Sequence, residues 1–160
     1  MEGKLKKISW HKNLNLDVSR IDNMHRHMVD LVNELLAKID QGEGEETVRP
    51  LLTKLREYTV YHFHDEEAFM QEIRYPGLAK HQQDHKELVD KVKKFQRDIY
   101  KHRTVTPQML LEFLREWLLN HILRVDMDIR DFIREKERRR MMEIEDNQTE
   151  SGEDQNNPQD

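Results

Sequence analysis

The chain of 160 residues is long enough for one domain with a sizeable core, and its charged (37%) and apolar (36%) fractions are nearly equal. It contains no cysteine, which excludes disulfides, iron–sulfur clusters, thiolate zinc sites and cysteine catalysis. The net charge of −5 and the lack of a long apolar run argue against nucleic acid and membranes as partners, so we expect a soluble, cytoplasmic protein.

Four segments of the chain place apolar residues at helical spacing, and turn-forming residues separate them. The segments cover approximately residues 20–41, 46–74, 77–102 and 107–140. The turns contain Gly42 and Gly44, then Pro76 and Gly77, then Pro107. Because short connections between long helices favour antiparallel neighbours, the sequence predicts an all-α protein, an up-down-up-down antiparallel four-helix bundle.

The end of the chain differs in composition from the rest. Residues 134–140 read "REKERRR", a basic run that we interpret as complementing the C-terminal dipole of the fourth helix. Residues 143–160 are acidic and nearly free of apolar groups, so they cannot bury enough surface to offset the entropy of ordering. We therefore predict a bundle over residues 1–142 and a disordered acidic tail over 143–160. Exposed charge on all four helices predicts a monomer.

Seven potential metal ligands lie at one level of the predicted bundle. In an antiparallel helix pair, two residues at the same height are equidistant from the connecting turn, so their midpoint falls in that turn. The midpoint between His25 and His62, for instance, falls between Gly42 and Gly44. The other midpoints fall in or beside the remaining two turns. The residues that share this level are His25, His62, Glu66, His81, His85, His121 and Asp126.

Asp126 fits this level least well. It follows His121 by five residues, which corresponds to about 140° round an ideal helix at roughly 100° per residue. For the two side chains to share a site, the helix between them must widen locally, as in a π-bulge. The ligand pairs spaced by four residues need no such distortion.

A single histidine in a bundle is more often a hydrogen-bonded core residue than a ligand, but five histidines and two carboxylates at one height favour metal. Seven ligands exceed the four of a structural zinc site. Two metals fit better, with Glu66 and Asp126 bridging them beside a solvent-derived oxo or hydroxo group, and one position is then left for a small molecule. The Glu-x-x-His motif of ferritin-like sites is absent.

Four histidines do not share the level of the predicted ligands. We expect them to be exposed at the surface or to lie just behind the ligands: His11, His27, His64 and His102.

Four stretches of the chain carry a family resemblance: "ISWHKNLNLDVSRIDNMH", "YHFHDEEAFM", "YPGLAKHQQDH" and "WLLNHILRVD". Together they resemble a bacterial-type hemerythrin domain, from about Trp10 to Phe132. The resemblance implies two iron ions, oxo- or hydroxo-bridged, that bind dioxygen reversibly. It assigns His81, His85 and His121 to a six-coordinate iron, and His25 and His62 to the iron with an open position; Glu66 and Asp126 would bridge. It places the dioxygen pocket on Met28, Phe63, Trp117 and Leu118.

The resemblance implies storage, transport or delivery of dioxygen, with a protein partner that could receive it, and no enzymatic activity. Two alternatives stay open. One is an oxidase or peroxidase, for which Glu67 beside Glu66 is the only suggestive residue. The other is an oxygen or redox sensor whose acidic tail recruits a partner. The sequence also departs from the family at Met24, where a glutamine commonly precedes the first ligand histidine, so we expect a polar contact behind the ligands to be lost.

Overall fold

The computed structural model describes residues 7–101 and 107–153, and within these ranges it contains helices and no strand. Three long α-helices come first: α1 (Ser19–Asp40), α2 (Glu45–Glu72) and α3 (Leu78–Tyr100). A fourth, composite helix follows: α4 (Pro107–Arg115), π-helical segments at Glu116–Asn120 and Ile122–Asp126, and α5 (Met127–Glu153). The prediction of an all-α four-helix bundle is confirmed.

Each helix turns one apolar face toward a shared core. In α1, for example, Ile21, Met28 and Leu35 recur every seventh residue and are at most 2% exposed. Leu52 and Leu55 of α2 meet this face and are fully buried. Because the buried positions recur at helical spacing, the polar residues between them face solvent. The bundle therefore has an apolar interior in which any buried polar group needs a specific partner.

The turns between helices have identifiable causes. After α1, Gly42 adopts a left-handed conformation (φ 77°) and Glu43 N–H donates to the carbonyl of Lys38, which closes a Schellman cap. After α2, Arg74 takes the equivalent left-handed position (φ 57°). Gly77 then opens α3, and a Cβ there would lie 2.7 Å from the ring of Tyr75. The first two predicted turns are thus present, and the second depends on a glycine for close packing rather than for its backbone angle. The third predicted turn, before Pro107, lies outside the described residues.

The fourth helix differs from the prediction in two ways. The widened turn predicted between His121 and Asp126 is present, but a second π-helical segment precedes it at Glu116–Asn120. The helix also continues to Glu153, beyond the end predicted near residue 140 and through part of the predicted tail. The described side chains of residues 143–150 are all exposed, so this extension packs against no core.

The segment before α1 lies against the bundle. Asn33 fixes it by two hydrogen bonds of 2.8 Å, one from the backbone N–H of Ile8 and one to its carbonyl. Leu14 and Leu16 are buried, and a carboxylate oxygen of Asp22 accepts the backbone N–H of Leu16 at 2.7 Å. None of the described helices is both long and apolar enough to cross a membrane.

Candidate metal centre

The seven side chains that the sequence placed on one level converge at a buried point of the bundle. They come from all four helices and are at most 8% exposed, with His121 the most accessible. Their ligand atoms form two overlapping groups, within each of which the atoms lie within 4.8 Å of one another. The first group contains His25, His62 and Glu66, and the second contains Glu66, His81, His85, His121 and Asp126.

The two carboxylates each present one oxygen to either side of the cluster. On one side, Oε2 of Glu66 lies 2.8 Å from Nε2 of His62 and 3.3 Å from Nε2 of His25. Oδ2 of Asp126 lies 3.2 Å from the same atom of His25. This side therefore has two imidazoles and one oxygen from each carboxylate.

The opposite side has three imidazoles. Oε1 of Glu66 lies 2.8 Å from Nε2 of His81 and 3.4 Å from Nε2 of His85. Oδ1 of Asp126 lies 3.0 Å from Nε2 of both His81 and His121. Since the two oxygens of each carboxylate face different sets of histidines, both acids can serve two neighbouring ions at once.

Hydrogen bonding within the protein does not satisfy this cluster. The Nε2 atoms of His81, His85 and His121 are buried without a well-formed hydrogen bond, and so are both carboxylate oxygens of Asp126. Leaving so many buried polar atoms unpaired would cost several times about 1–3 kcal/mol. Imidazole nitrogens and carboxylate oxygens are donors that iron and other divalent transition metals accept. The residues therefore fit a metal site.

The electrostatics of the cluster favour ionised carboxylates. Burial raises the pKa of Glu66, but close contacts with four surrounding histidines outweigh it and hold that pKa well below its usual range. Burial and the charge of Glu66 raise the pKa of Asp126, yet His121 and His25 bring it below its usual range.

The two ionised carboxylates change the pKa values of neighbouring histidines. Burial lowers the pKa of His25 and His81, but close contacts with the carboxylates of Asp126 and Glu66 reverse the effect and raise these pKa values to about 9 and about 10. Burial lowers the pKa of His62 despite its contact with Glu66. A metal ion must therefore displace protons from His25 and His81 at neutral pH.

Contacts behind the ligands differ between the two sides. Oε1 of Glu67 lies 2.8 Å from Nδ1 of His85, so this imidazole is held by a carboxylate. On the other side, Nδ1 of His62 contacts the thioether sulfur of Met24, at 3.3 Å. Among the described residues, Nδ1 of His25 has no hydrogen-bond partner, and neither has Nδ1 of His81 on the three-histidine side. At Met24, where the family commonly has a glutamine, the side chain that contacts His62 therefore offers a thioether, which is a weak hydrogen-bond acceptor.

Glu67 is a residue whose positioning role the sequence analysis did not identify. Glu67 directly follows the ligand Glu66 and His85 lies at the same level on the adjacent helix, but surface glutamates are common and their position in the sequence does not indicate such a contact. Its second oxygen also accepts a hydrogen bond from Gln82 at 3.3 Å. Glu67 is therefore fixed from both ends of its carboxylate.

A small cavity of about 10 Å³ is lined by both histidines of the two-histidine side, His25 and His62, and by His121 of the other side. That volume is about enough for one water-sized molecule. All four predicted pocket residues line it, together with ligand residues and two further apolar side chains: Met28, Phe63, Leu88, Trp117, Leu118 and Ile122. Phe63 stacks on the ring of His85 (centroids 3.7 Å apart), and the indole N–H of Trp117 donates to the carbonyl of Leu88 at 3.0 Å. The cavity wall is thus apolar and held in place.

The other histidines lie away from the cluster. His11, His27 and His64 are exposed, as predicted. His27 packs edge-on against Tyr58, with ring centroids 4.4 Å apart. His102 lies outside the described residues.

The cluster and its bundle match a known family. The model of the hemerythrin HHE cation-binding domain covers residues 16–133, most of the chain and all seven clustered residues. The chain belongs to the hemerythrin family. The bacteriohemerythrin of Clostridium acetobutylicum is 29% identical over 126 residues, covering 76% of this chain and 98% of that protein. The bacteriohemerythrin of Methylococcus capsulatus is 33% identical over 110 residues, covering 69% of this chain and 83% of that protein.

Solved structures agree with this hemerythrin assignment. A crystal structure of wild-type hemerythrin superposes with a TM-score of 0.67 and 29% identity, over 76% of this chain and 93% of that one. The family match ends at residue 133, so most of α5 lies beyond the shared domain.

Proposed function

We propose that this hemerythrin-family protein binds dioxygen reversibly at a pair of iron ions, for storage, transport or delivery of oxygen. The observation that carries the proposal is the two-sided arrangement of the carboxylates. Glu66 and Asp126 each present separate oxygens to a two-histidine side and to a three-histidine side. His25 and His62 would hold one iron, His81, His85 and His121 the other, and both carboxylates would bridge.

Counting donors supports a single open position for dioxygen. The three-histidine side offers five protein donors, and the two-histidine side offers four. With one shared oxo or hydroxo bridge, the first set completes an octahedron and the second lacks one ligand. The small cavity borders the side that lacks it. A pair of irons supplies the two electrons that reversible binding of one dioxygen molecule needs.

The surrounding residues favour binding over turnover. Phe63, Trp117 and Leu118 exclude water from the cavity, which protects the reduced centre from loss of electrons to solvent-borne oxidants. Their contribution is mainly steric, since no described polar side chain other than the clustered ligands lines the cavity. A cavity of about 10 Å³ also excludes organic substrates, which favours a diatomic ligand over a substrate to be oxidised.

The decisive experiment mixes the fully reduced, iron-loaded protein with dioxygen in a stopped-flow spectrometer. We expect two irons per chain and an oxygen-dependent absorption band that persists and disappears on deoxygenation. Immediate conversion to the ferric form, without a persistent band, would instead identify an oxidase. The same experiment on the Glu67→Gln variant distinguishes reversible binding from oxidase turnover. Turnover that needs a proton from Glu67 would slow in that variant.

A further inference from the structure

The C-terminal part of α5 stands free of the bundle. Nζ of Lys136 donates to the carbonyl of Ile73 at the turn after α2, at 3.1 Å, and every described side chain from there to Glu150 is exposed. The helix continues to Glu153, so about 25 Å of it projects into solvent at 1.5 Å per residue. A helix of this length has little stability of its own in water. The length of this exposed part of α5 therefore suggests that a partner packs beside it.

The projecting helix is divided by charge. Residues 134–140 combine five basic with two acidic side chains, whereas residues 143–153 contain five acidic and no basic side chains. The acidic half lies at the C-terminal end, where the helix dipole disfavours negative charge. The arrangement is therefore unfavourable for an isolated helix, and a partner that presents positive charge to the acidic half would relieve it.

One face of this helix is complementary to its own reverse. Arg138, Met141, Met142 and Glu145 follow the i, i+3, i+4, i+7 spacing and so share a face. Met141 is 58% exposed and Met142 is 51% exposed, although apolar residues of this size are usually buried. Along the face the order is positive, apolar, apolar, negative. When a second copy of the helix runs in the opposite direction, its negative end lies opposite the positive end of the first copy, and its positive end lies opposite the negative end.

We propose that two copies of this chain associate through this face of α5, with the helices antiparallel and centred between Met141 and Met142. Arg138 of each copy then lies opposite Glu145 of the second copy, and the methionines pack between them. Arg139 and Asp146 add a second pair at the flank, displaced by about 3 Å along the helices. A parallel arrangement would set like charges against each other at both levels.

The two arginines carry more positive charge than their hydrogen bonds within the helix neutralise. Nη2 of Arg138 and Nε of Arg139 share the carboxylate of Glu135, at 2.7 and 3.0 Å. Two guanidinium groups thus face one carboxylate, and a positive charge is left over for the second copy. The sequence predicted a monomer because all four helices carry exposed charge. It also predicted that the fourth helix ends near residue 140, and the extension to Glu153 adds the acidic half that this pairing uses.

The association is expected to be weak and sensitive to salt. A pair of helices with two methionines each at the centre buries less apolar area than a standard interface. Much of the attraction comes from exposed charges, which salt screens over about 10 Å at 0.1 M ionic strength. Dimerisation at low salt and dissociation at high salt are the expected behaviour.

Charge reversal tests the pairing in the full-length, iron-loaded protein by analytical ultracentrifugation over a hundredfold concentration range. The wild type should dimerise reversibly at low salt. Arg138→Glu with Arg139→Glu should be monomeric, and so should Glu145→Arg with Asp146→Arg. All four changes together should restore the dimer. A wild type that stays monomeric throughout, or a fourfold variant that does not recover, would overturn the proposal; unchanged iron content shows that each variant folds.

Crosslinking tests the antiparallel orientation, because the chain has no cysteine of its own. Met142→Cys places two thiols near the two-fold axis and should be joined by a short bis-maleimide. Thr149→Cys lies on the same face, but its two copies would be separated by about 22 Å along the helices and should not be joined. Crosslinking of both variants would indicate a parallel pair, and crosslinking of neither would leave no dimer of the proposed form.

Discussion

Nε2 of His121 lies 3.0 Å from Oδ1 of Asp126, although an ordinary α-helix would point these two side chains in different directions. The π-helical segment Ile122–Asp126 accounts for the contact, since its wider turn brings a residue five positions on back to the same face. The preceding residue, Val125, faces an outer groove instead. The seventh ligand position therefore depends on backbone geometry and not on spacing alone.

This geometry can be tested by exchanging two neighbouring residues. In the double variant Val125→Asp with Asp126→Val, the carboxylate follows His121 by four residues, the spacing that would suit an α-helix. Because the π-turn directs position 125 away from the cluster, we expect the variant to lose iron. Iron per chain, measured after anaerobic loading, is the readout. Full iron content would mean that the helix can readily return to α-helical geometry and that the π-turn is not required.

Much of the fold and cluster could be predicted because it depends on local rules. Gly42 and Pro76 located turns, and antiparallel packing then fixed which residues share a height. The single awkward ligand, Asp126, indicated the π-turn, because only a wider turn reconciles it with His121. The earlier π-segment at Glu116–Asn120 carried no such signal, since no ligand pair spans it.

The features that were missed depend on distant or weak interactions. The extension of α5 to Glu153 was not predicted, because its apolar residues are few and propensity alone says little about a solvated helix. The support of His85 by Glu67 depends on how two helices face each other, which spacing along one helix does not reveal. The packing of α2 against α3 determines whether Glu67 and His85 come into contact.

Leu118 is predicted to protect the reduced centre from autoxidation. It is 2% exposed and lines the small cavity, so Leu118→Ala would enlarge that cavity and admit water. We expect faster loss of the oxygenated form and a decrease in stability of about 2–5 kcal/mol. Leu52→Ala is the matched control, because Leu52 is equally buried but does not line this cavity. Equal autoxidation rates in the two variants would show that Leu118 does not protect the reduced centre.

Met24 is predicted to weaken the hold on the metal at the two-histidine side. Its sulfur lies 3.3 Å from Nδ1 of His62, and a thioether is a poor acceptor for that N–H. Replacing it with an amide oxygen in Met24→Gln should orient His62 more firmly and slow release of the iron held at that side to a chelator. Met24→Leu, which offers no acceptor, should release that iron at least as fast as the wild type. Ligand supports of this kind typically change metal affinity by about 10–100-fold.

Removing the metal should expose the raised pKa values of His25 and His81. In the stripped protein these imidazoles are protonated at neutral pH, because their pKa values lie at about 9 and about 10. A raised pKa contributes stability that is fully present below the unfolded value near 6.5 and is lost as pH rises through the folded value. The urea midpoint of the stripped protein should therefore fall between pH 8 and pH 10, and that of the iron-loaded protein should fall less, because bound metal has already displaced these protons.

The matching measurement is an NMR titration of the imidazole C–H signals in the stripped protein. Signals that disappear in His25→Gln and His81→Gln identify the two residues. They should titrate well above pH 7, because Glu66 and Asp126 stay ionised around them. Titration near 6.5 would show that the carboxylates do not hold protons on these histidines, and the alkaline loss of stability would then need another cause. If the titration is as expected, iron binding between pH 7 and pH 9 releases protons and its affinity rises with pH.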